Sequence, residues 1–168
     1  MTEYEFLKAY AAGERNFPGV NLKGVNLEGT HLIGINLEGA DLSRANLKKA
    51  ILFGSNLSGA QLDEANLKRV DLRASNLSSA TLEFTNMEGA NLSGANLSET
   101  KLHHTILKKA NLKDANLMYA SLFFTIMYQA DCTQADFSNA TLEHVDAFLA
   151  TTSKTIFINT TFEQCFGF

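Results

Sequence analysis

Leucine returns every fifth residue through the middle of the chain, at Leu42, Leu47, Leu52, Leu57, Leu62 and Leu67, and no regular element has a period of five. An α-helix turns about 100° per residue, so these positions would scatter around its circumference. A continuous strand would throw each successive leucine onto the opposite face. From Phe17 to Phe162 the phase never slips: of 30 such centres, 21 are Leu, 4 Phe and 2 Met, with single Cys, Ala and Thr. Two residues before each centre lies a small-residue position, Ala in 15 cases and Thr in 7. A large and a small side chain two residues apart share one face of a short extended segment. For the next pair to face inward after five residues, the chain must turn a corner in every unit. Backbone hydrogen bonds then run between stacked coils.

The outward residues set the coil length. Asn36, Asn56, Asn76, Asn96, Asn116 and Asp136 form a series of period 20, Asn26, Asn46, Asn66 and Asn86 form a second, and Ile106 and Ile126 interrupt the second together. Four units therefore make a coil, 30 units make about 7.5 coils, and a spacing of about 4.8 Å predicts a rod roughly 36 Å long.

Five units, Ala45-Asn46-Leu47, Ala65-Asn66-Leu67, Ala90-Asn91-Leu92, Ala95-Asn96-Leu97 and Ala115-Asn116-Leu117, match the A(D/N)LXX consensus of the pentapeptide-repeat family letter for letter, and the chain resembles that family over about residues 15 to 165. The resemblance implies an all-β fold, a right-handed quadrilateral β-helix with Leu and Ala inside. The expected organisation is a single domain over 1–168, with 1–14 an N-terminal cap helix, 15–165 the β-helix and 166–168 a C-terminal tail. Asn or Asp before each central residue suits a side-chain-stabilised turn. Glycines such as Gly54 and Gly94 end their units, where a corner calls for positive φ.

A β-helix needs capped ends, because each exposes strand edges and core. Thr2 and Glu5 have capping-box spacing, Tyr4, Leu7 and Ala11 are expected to form an apolar face, and Gly13 is a plausible stop. The segment is also similar to the capping helix of small bacterial members of the family. At the other end Ala147 and Thr152 stand at central positions, so residues 147 to 154 either continue the coil with a thin core or leave it. The terminal CFGF, with Phe166 and Phe168, is expected to pack over the last coil or against a second copy.

Composition narrows the class. The chain has 168 residues, net charge -4 and 45% hydrophobic residues, enough for one core and far from a disordered composition. No run approaches a membrane span, and MTEYEFLKAY lacks the basic and apolar regions of a signal peptide. A cytoplasmic protein without a membrane partner is the default expectation. Cys132 and Cys165 lie 33 residues apart, not a multiple of 20, and are expected to stay unpaired.

No nucleotide loop, zinc motif or nucleophile elbow occurs, so no enzyme, cofactor or metal is implied. His104 and His144 lie two coils apart with Phe124 between them, too far to share a metal. Lys48, Lys49, Lys68, Arg69, Lys108 and Lys109 line one side as a basic stripe interrupted by Glu88. The negative total charge and the lack of interleaved aromatics make a solvated face the better reading than a nucleic-acid contact. The outward apolar residues are more informative. Met118, Tyr119, Phe123, Phe124, Ile126 and Tyr128 project from consecutive sides of nearly one coil, where earlier coils carry polar residues or Gly, and clustered surface aromatics mark an interface. The leading function is a non-enzymatic scaffold or protein-interaction module, with a second copy, through the belt or the C-terminal end, among the candidate partners. The alternative comes from relatives that resemble this rod and bind DNA gyrase as duplex mimics. Mimicry calls for dense acid, whereas 18 acidic residues are here diluted by 14 basic ones.

Overall fold

The structure, a computed structural model, describes residues 1–167. One helix, α1 (Glu3–Ala11), precedes a right-handed quadrilateral β-helix. The helix starts at Thr2, whose hydroxyl accepts from the Glu5 N–H while the Glu5 carboxylate accepts from the Thr2 N–H. Its packing face differs from the expected one. Phe6 is fully buried and meets the Phe17 ring at 4.8 Å, with Leu7, Ala9 and Tyr10 beside it, whereas Tyr4 is 73% exposed and Ala11 is exposed. The helix lies across the mouth of the first coil, so the residues that plug the mouth decide its orientation. Glu3 accepts from the Asn26 N–H and the Tyr10 hydroxyl donates to the Ile33 carbonyl, covering part of the strand edge.

Every coil is 20 residues long. Parallel bridges join Asn16 to Asn36, Asn21 to Asp41, Asn26 to Asn46, His31 to Ile51, and so on without a shift of register. We number the faces by their first centres: Phe17 on the first, Leu22 on the second, Leu27 on the third and Leu32 on the fourth. Most corners are turns closed by the amide three residues beyond the centre, as in Ala45 N–H to Leu42 O at 3.0 Å. The last residue of all 30 units from Gly19 to Gln164 has positive φ, nine of them glycine and twenty-one not. Positive φ at that place alone is the type II pattern.

The core is a stack of identical layers. Central leucines from Leu22 to Leu122 have no exposure, and the alanines between them are equally buried. Where Ser or Thr replaces Ala at the ends of the second and fourth faces, as at Ser75, Thr105 and Thr125, the hydroxyl reaches a carbonyl one coil below, Leu52 O at 2.7 Å and Leu82 O and Leu102 O at 2.6 Å, and Thr100 instead donates to Leu97 O three residues back at 2.6 Å. A buried hydroxyl is thus satisfied without breaking the ladder. On the second face the turn bond lengthens to 3.3 Å at Thr85 and 3.4 Å at Thr105. The next coils there carry three-residue strands, β1 (Ser121–Phe123), β2 (Thr141–Glu143) and β3 (Thr161–Glu163), paired in parallel.

Residues 147 to 154 stay in the coil. Cys132 and Gln134 donate to Thr151 and Ser153, and Asp136 bridges Ile156. Phe137 stacks on Phe157 at 5.4 Å and Phe157 meets Phe162 at 5.3 Å, aromatic bulk beside the thin layer at Ala147 and Thr152. The ladder also runs past residue 165. Phe166, expected in a tail, bridges Asp146 and exchanges hydrogen bonds with Val145 and Ala147. Gly167 follows at a place that admits no side chain, since a Cβ there would stand 2.5 Å from the Ala147 carbonyl. Phe168, expected to pack at the same end, lies outside the described residues.

Candidate protein-interaction surface

Asparagine before the centre does two jobs on the first face. Its Oδ1 accepts the N–H two residues on, as in Ser58 N–H to Asn56 at 3.1 Å, and its amide donates to the asparagine one coil below. The ladder runs through Asn16, Asn36, Asn56, Asn76, Asn96 and Asn116 at 2.6 to 3.3 Å. On the third face the same ladder joins Asn26, Asn46 and Asn66, and Ile106 and Ile126 take this column two and three coils beyond Asn66.

The aromatic belt sits where the left-handed corners and these breaks coincide. Tyr119 is 58% exposed, Phe124 45% and Ile126 41%. Met118, Phe123 and Tyr128 are half-buried, so the belt has an exposed half and a supporting half. Phe123 packs edge-on against Phe124 at 4.5 Å and touches the rings of His103, His104 and His144. At the corner between the second and third faces, Phe84, His104, Phe124 and His144 stack with ring planes within 5° and centroids 4.4 to 5.4 Å apart. The coil repeat forces this near-parallel arrangement, because equivalent corners present equivalent side chains. The column keeps His104 and His144 apart. Among the described residues, no three His, Cys, Asp or Glu side chains converge to hold a metal.

The apolar surface extends further than the sequence suggests. Phe148 and Leu149 are each 57% exposed, and Phe166 68%, all on the third face above Ile126 and Tyr128. Ile156 and Ile158 are exposed on the first face above Met118. Their places in the unit are outward, so the register carried the signal. An open cavity of about 560 Å³ at the C-terminal end is lined by Phe157, Phe162, Gln164, Cys165 and Gly167.

The basic stripe is partly neutralised along the axis. Lys48 pairs with Glu28 at 3.0 Å, Lys68 with Glu88 at 2.7 Å, and the Lys108 ammonium lies 5.5 Å from the Tyr128 ring centre. These bonds hold the Glu28 and Glu88 carboxyls below the usual range, through Lys48 and Lys68 respectively. Lys49, Arg69 and Lys109, in the corner column beside them, have no carboxylate within 4.0 Å among the described residues. Cys132 is buried and Cys165 half-buried, both free, and burial pushes the Cys132 thiol up to about 12. Among the described residues, no helix is long and apolar enough to cross a membrane.

A family model described as pentapeptide repeats, in 8 copies, matches residues 21–59, 55–94, 95–125 and 115–151. A trypsin-treated form of QnrB1, a plasmid-mediated fluoroquinolone resistance protein, superposes with a TM-score of 0.59 at 21% identity over 88% of this chain and 79% of its own. Alr5209, a pentapeptide repeat protein from Nostoc PCC 7120, is 33% identical over 72% of this chain and 79% of its own, with a TM-score of 0.44. No curated protein sequence matches the chain.

Proposed function

The chain belongs to the pentapeptide-repeat family, and we propose that it is a non-enzymatic scaffold whose C-terminal coils hold a protein partner through the belt around Tyr119, Phe124 and Ile126. One observation carries this reading. The three most exposed members lie on three consecutive faces, in columns that hold Gly19, Gly39 and Gly59, Gly24, Arg44 and Glu64, and Asn26, Asn46 and Asn66 in the early coils. The fold therefore accepts glycine or polar residues at these places and does not require the apolar ones. Clustered exposed aromatic and aliphatic side chains at places the fold fills with glycine or polar residues elsewhere are what an interface retains. Tyr119→Ser with Phe124→Ser should leave the melting temperature within a few degrees and weaken partner capture and self-association at least ~10-fold, the factor for about 1.4 kcal/mol. An unchanged partner set and unchanged sedimentation would return the belt to inter-coil stacking.

Gyrase binding by duplex mimicry is the competing reading. It needs acidic faces, and the third face instead carries Lys49, Arg69 and Lys109 without ion-pair partners among the described residues. If the rod acts that way, reversing those charges should preserve or improve inhibition of supercoiling. No inhibition at high micromolar protein removes the reading.

A further inference from the structure

We propose that the third face binds an acidic protein segment bearing one apolar anchor residue, with the anchor over Ile106 and Ile126 and carboxylates along Arg69 and Lys109. The proposal rests on the reading of the rod as an interaction module and names the partner's chemistry on one face. The asparagine column is the first argument. It runs as an amide ladder through Asn26, Asn46 and Asn66 and has isoleucine at two successive coils, giving up side-chain hydrogen bonds for an apolar floor. That floor belongs to an open groove of about 530 Å³, bordered by Glu88, Lys108, Tyr128 and Asp146.

Charge is the second argument. The groove's own acids are already engaged: Glu88 with Lys68 at 2.7 Å, and Asp146 with the Phe148 N–H at 3.0 Å. Lys108 lies over Tyr128. The adjoining corner presents Arg69 and Lys109 without a carboxylate partner among the described residues, and the Arg69 stem crosses the open space beside Gly89. Six cations on this face stand against three carboxylates, Glu28, Glu88 and Asp146, of which Glu28 and Glu88 pair with Lys48 and Lys68, on a chain whose net charge is -4. An apolar floor beside unpaired cations is complementary to an apolar side chain flanked by carboxylates. A nucleic acid is a poorer fit. The groove's floor is aliphatic, and the ring that borders it, Tyr128, has the Lys108 ammonium 5.5 Å from its centre.

The probe is a fluorescein-labelled nonapeptide of eight glutamates around a central phenylalanine, titrated by anisotropy in low salt. An all-glutamate nonapeptide and a labelled oligothymidylate serve as comparisons. The anchored peptide should bind at least ~10-fold tighter than the all-glutamate one. I106N/I126N, which extends the asparagine column, should abolish that preference without lowering the melting temperature. R69E/K109E should weaken both peptides at least ~10-fold. Equal binding of the two peptides, a preference that survives I106N/I126N, or tighter binding of the oligothymidylate would each overturn the proposal. The module reading fails separately, on the Tyr119 and Phe124 variants.

Discussion

Placing a carboxylate at Leu77 puts the stacked-layer core to its most direct test. Leu77 lies on the first face between Leu57 and Leu97, all three without exposure, and its N–H donates to the Asn96 carbonyl at 2.7 Å. Truncation to alanine removes most of one layer of the stack, and comparable buried sites lose about 3 to 4 kcal/mol. Aspartate loses the same packing and must also stay neutral or be ionised without a partner. Raising its carboxyl by about three units costs about 4 kcal/mol once the solution pH exceeds the folded value. The total, about 7 kcal/mol, is comparable to the whole stability of an ordinary domain. The sign with pH follows. The folded state holds the proton more tightly than the unfolded one, so the ionisation penalty is small near pH 4 and grows as pH rises to the folded pKa. Circular dichroism melts of Leu77→Asp and Leu77→Ala from pH 4 to pH 8 separate the two effects. Leu77→Ala should lose a constant amount relative to wild type, and Leu77→Asp should fall further behind with rising pH until it no longer folds. An aspartate variant with the wild-type melting temperature at pH 8, or one that tracks the alanine variant at every pH, would show that position 77 does not face the core.

Three further outcomes follow from individual residues. Ala74 sits at φ 54, where a Cβ is strained, so Ala74→Gly should stabilise the rod by about 0.5 to 1 kcal/mol in thermal or chemical denaturation. Cys132, with its thiol raised from 9.0 to about 12, should carry about a thousandfold less thiolate than an ordinary cysteine, so a native labelling experiment at pH 8 should modify Cys165 alone and both thiols only after unfolding. Asp41, Asp71 and Asp131 are held below the usual range, chiefly by side-chain hydrogen bonds from Ser43, Arg73 and Thr133. Depressed folded values add stability above about pH 4 that is lost as pH falls through them. The melting temperature should therefore hold between pH 6 and 8 and drop below pH 4, less steeply in Asp131→Asn.

The period of five, the alternation of large and small inward residues and the period of twenty in the outward ones were enough to determine the β-helix, its four faces and its register. These are local rules repeated 30 times, and each coil packs chiefly on its neighbours, so little beyond repetition is needed to place a residue. Outward placement of Tyr119, Phe124 and Ile126 was legible for the same reason. What the tertiary structure decided lies where repetition stops or where side chains choose among neighbours. The cap shows the first: helical spacing allowed a face of Tyr4, Leu7 and Ala11, but the shape of the coil mouth selected Phe6, which meets Phe17. The thin layer at Ala147 and Thr152 shows it again, since beside it stands aromatic bulk from Phe137, Phe157 and Phe162. The third face shows the second. A column of lysines and glutamates fixes which residues are one coil apart, but whether a lysine pairs below, above or with a ring depends on side-chain reach. Lys48 turned to Glu28, Lys68 to Glu88 and Lys108 to Tyr128, leaving Lys49, Arg69 and Lys109 without a carboxylate within 4.0 Å among the described residues.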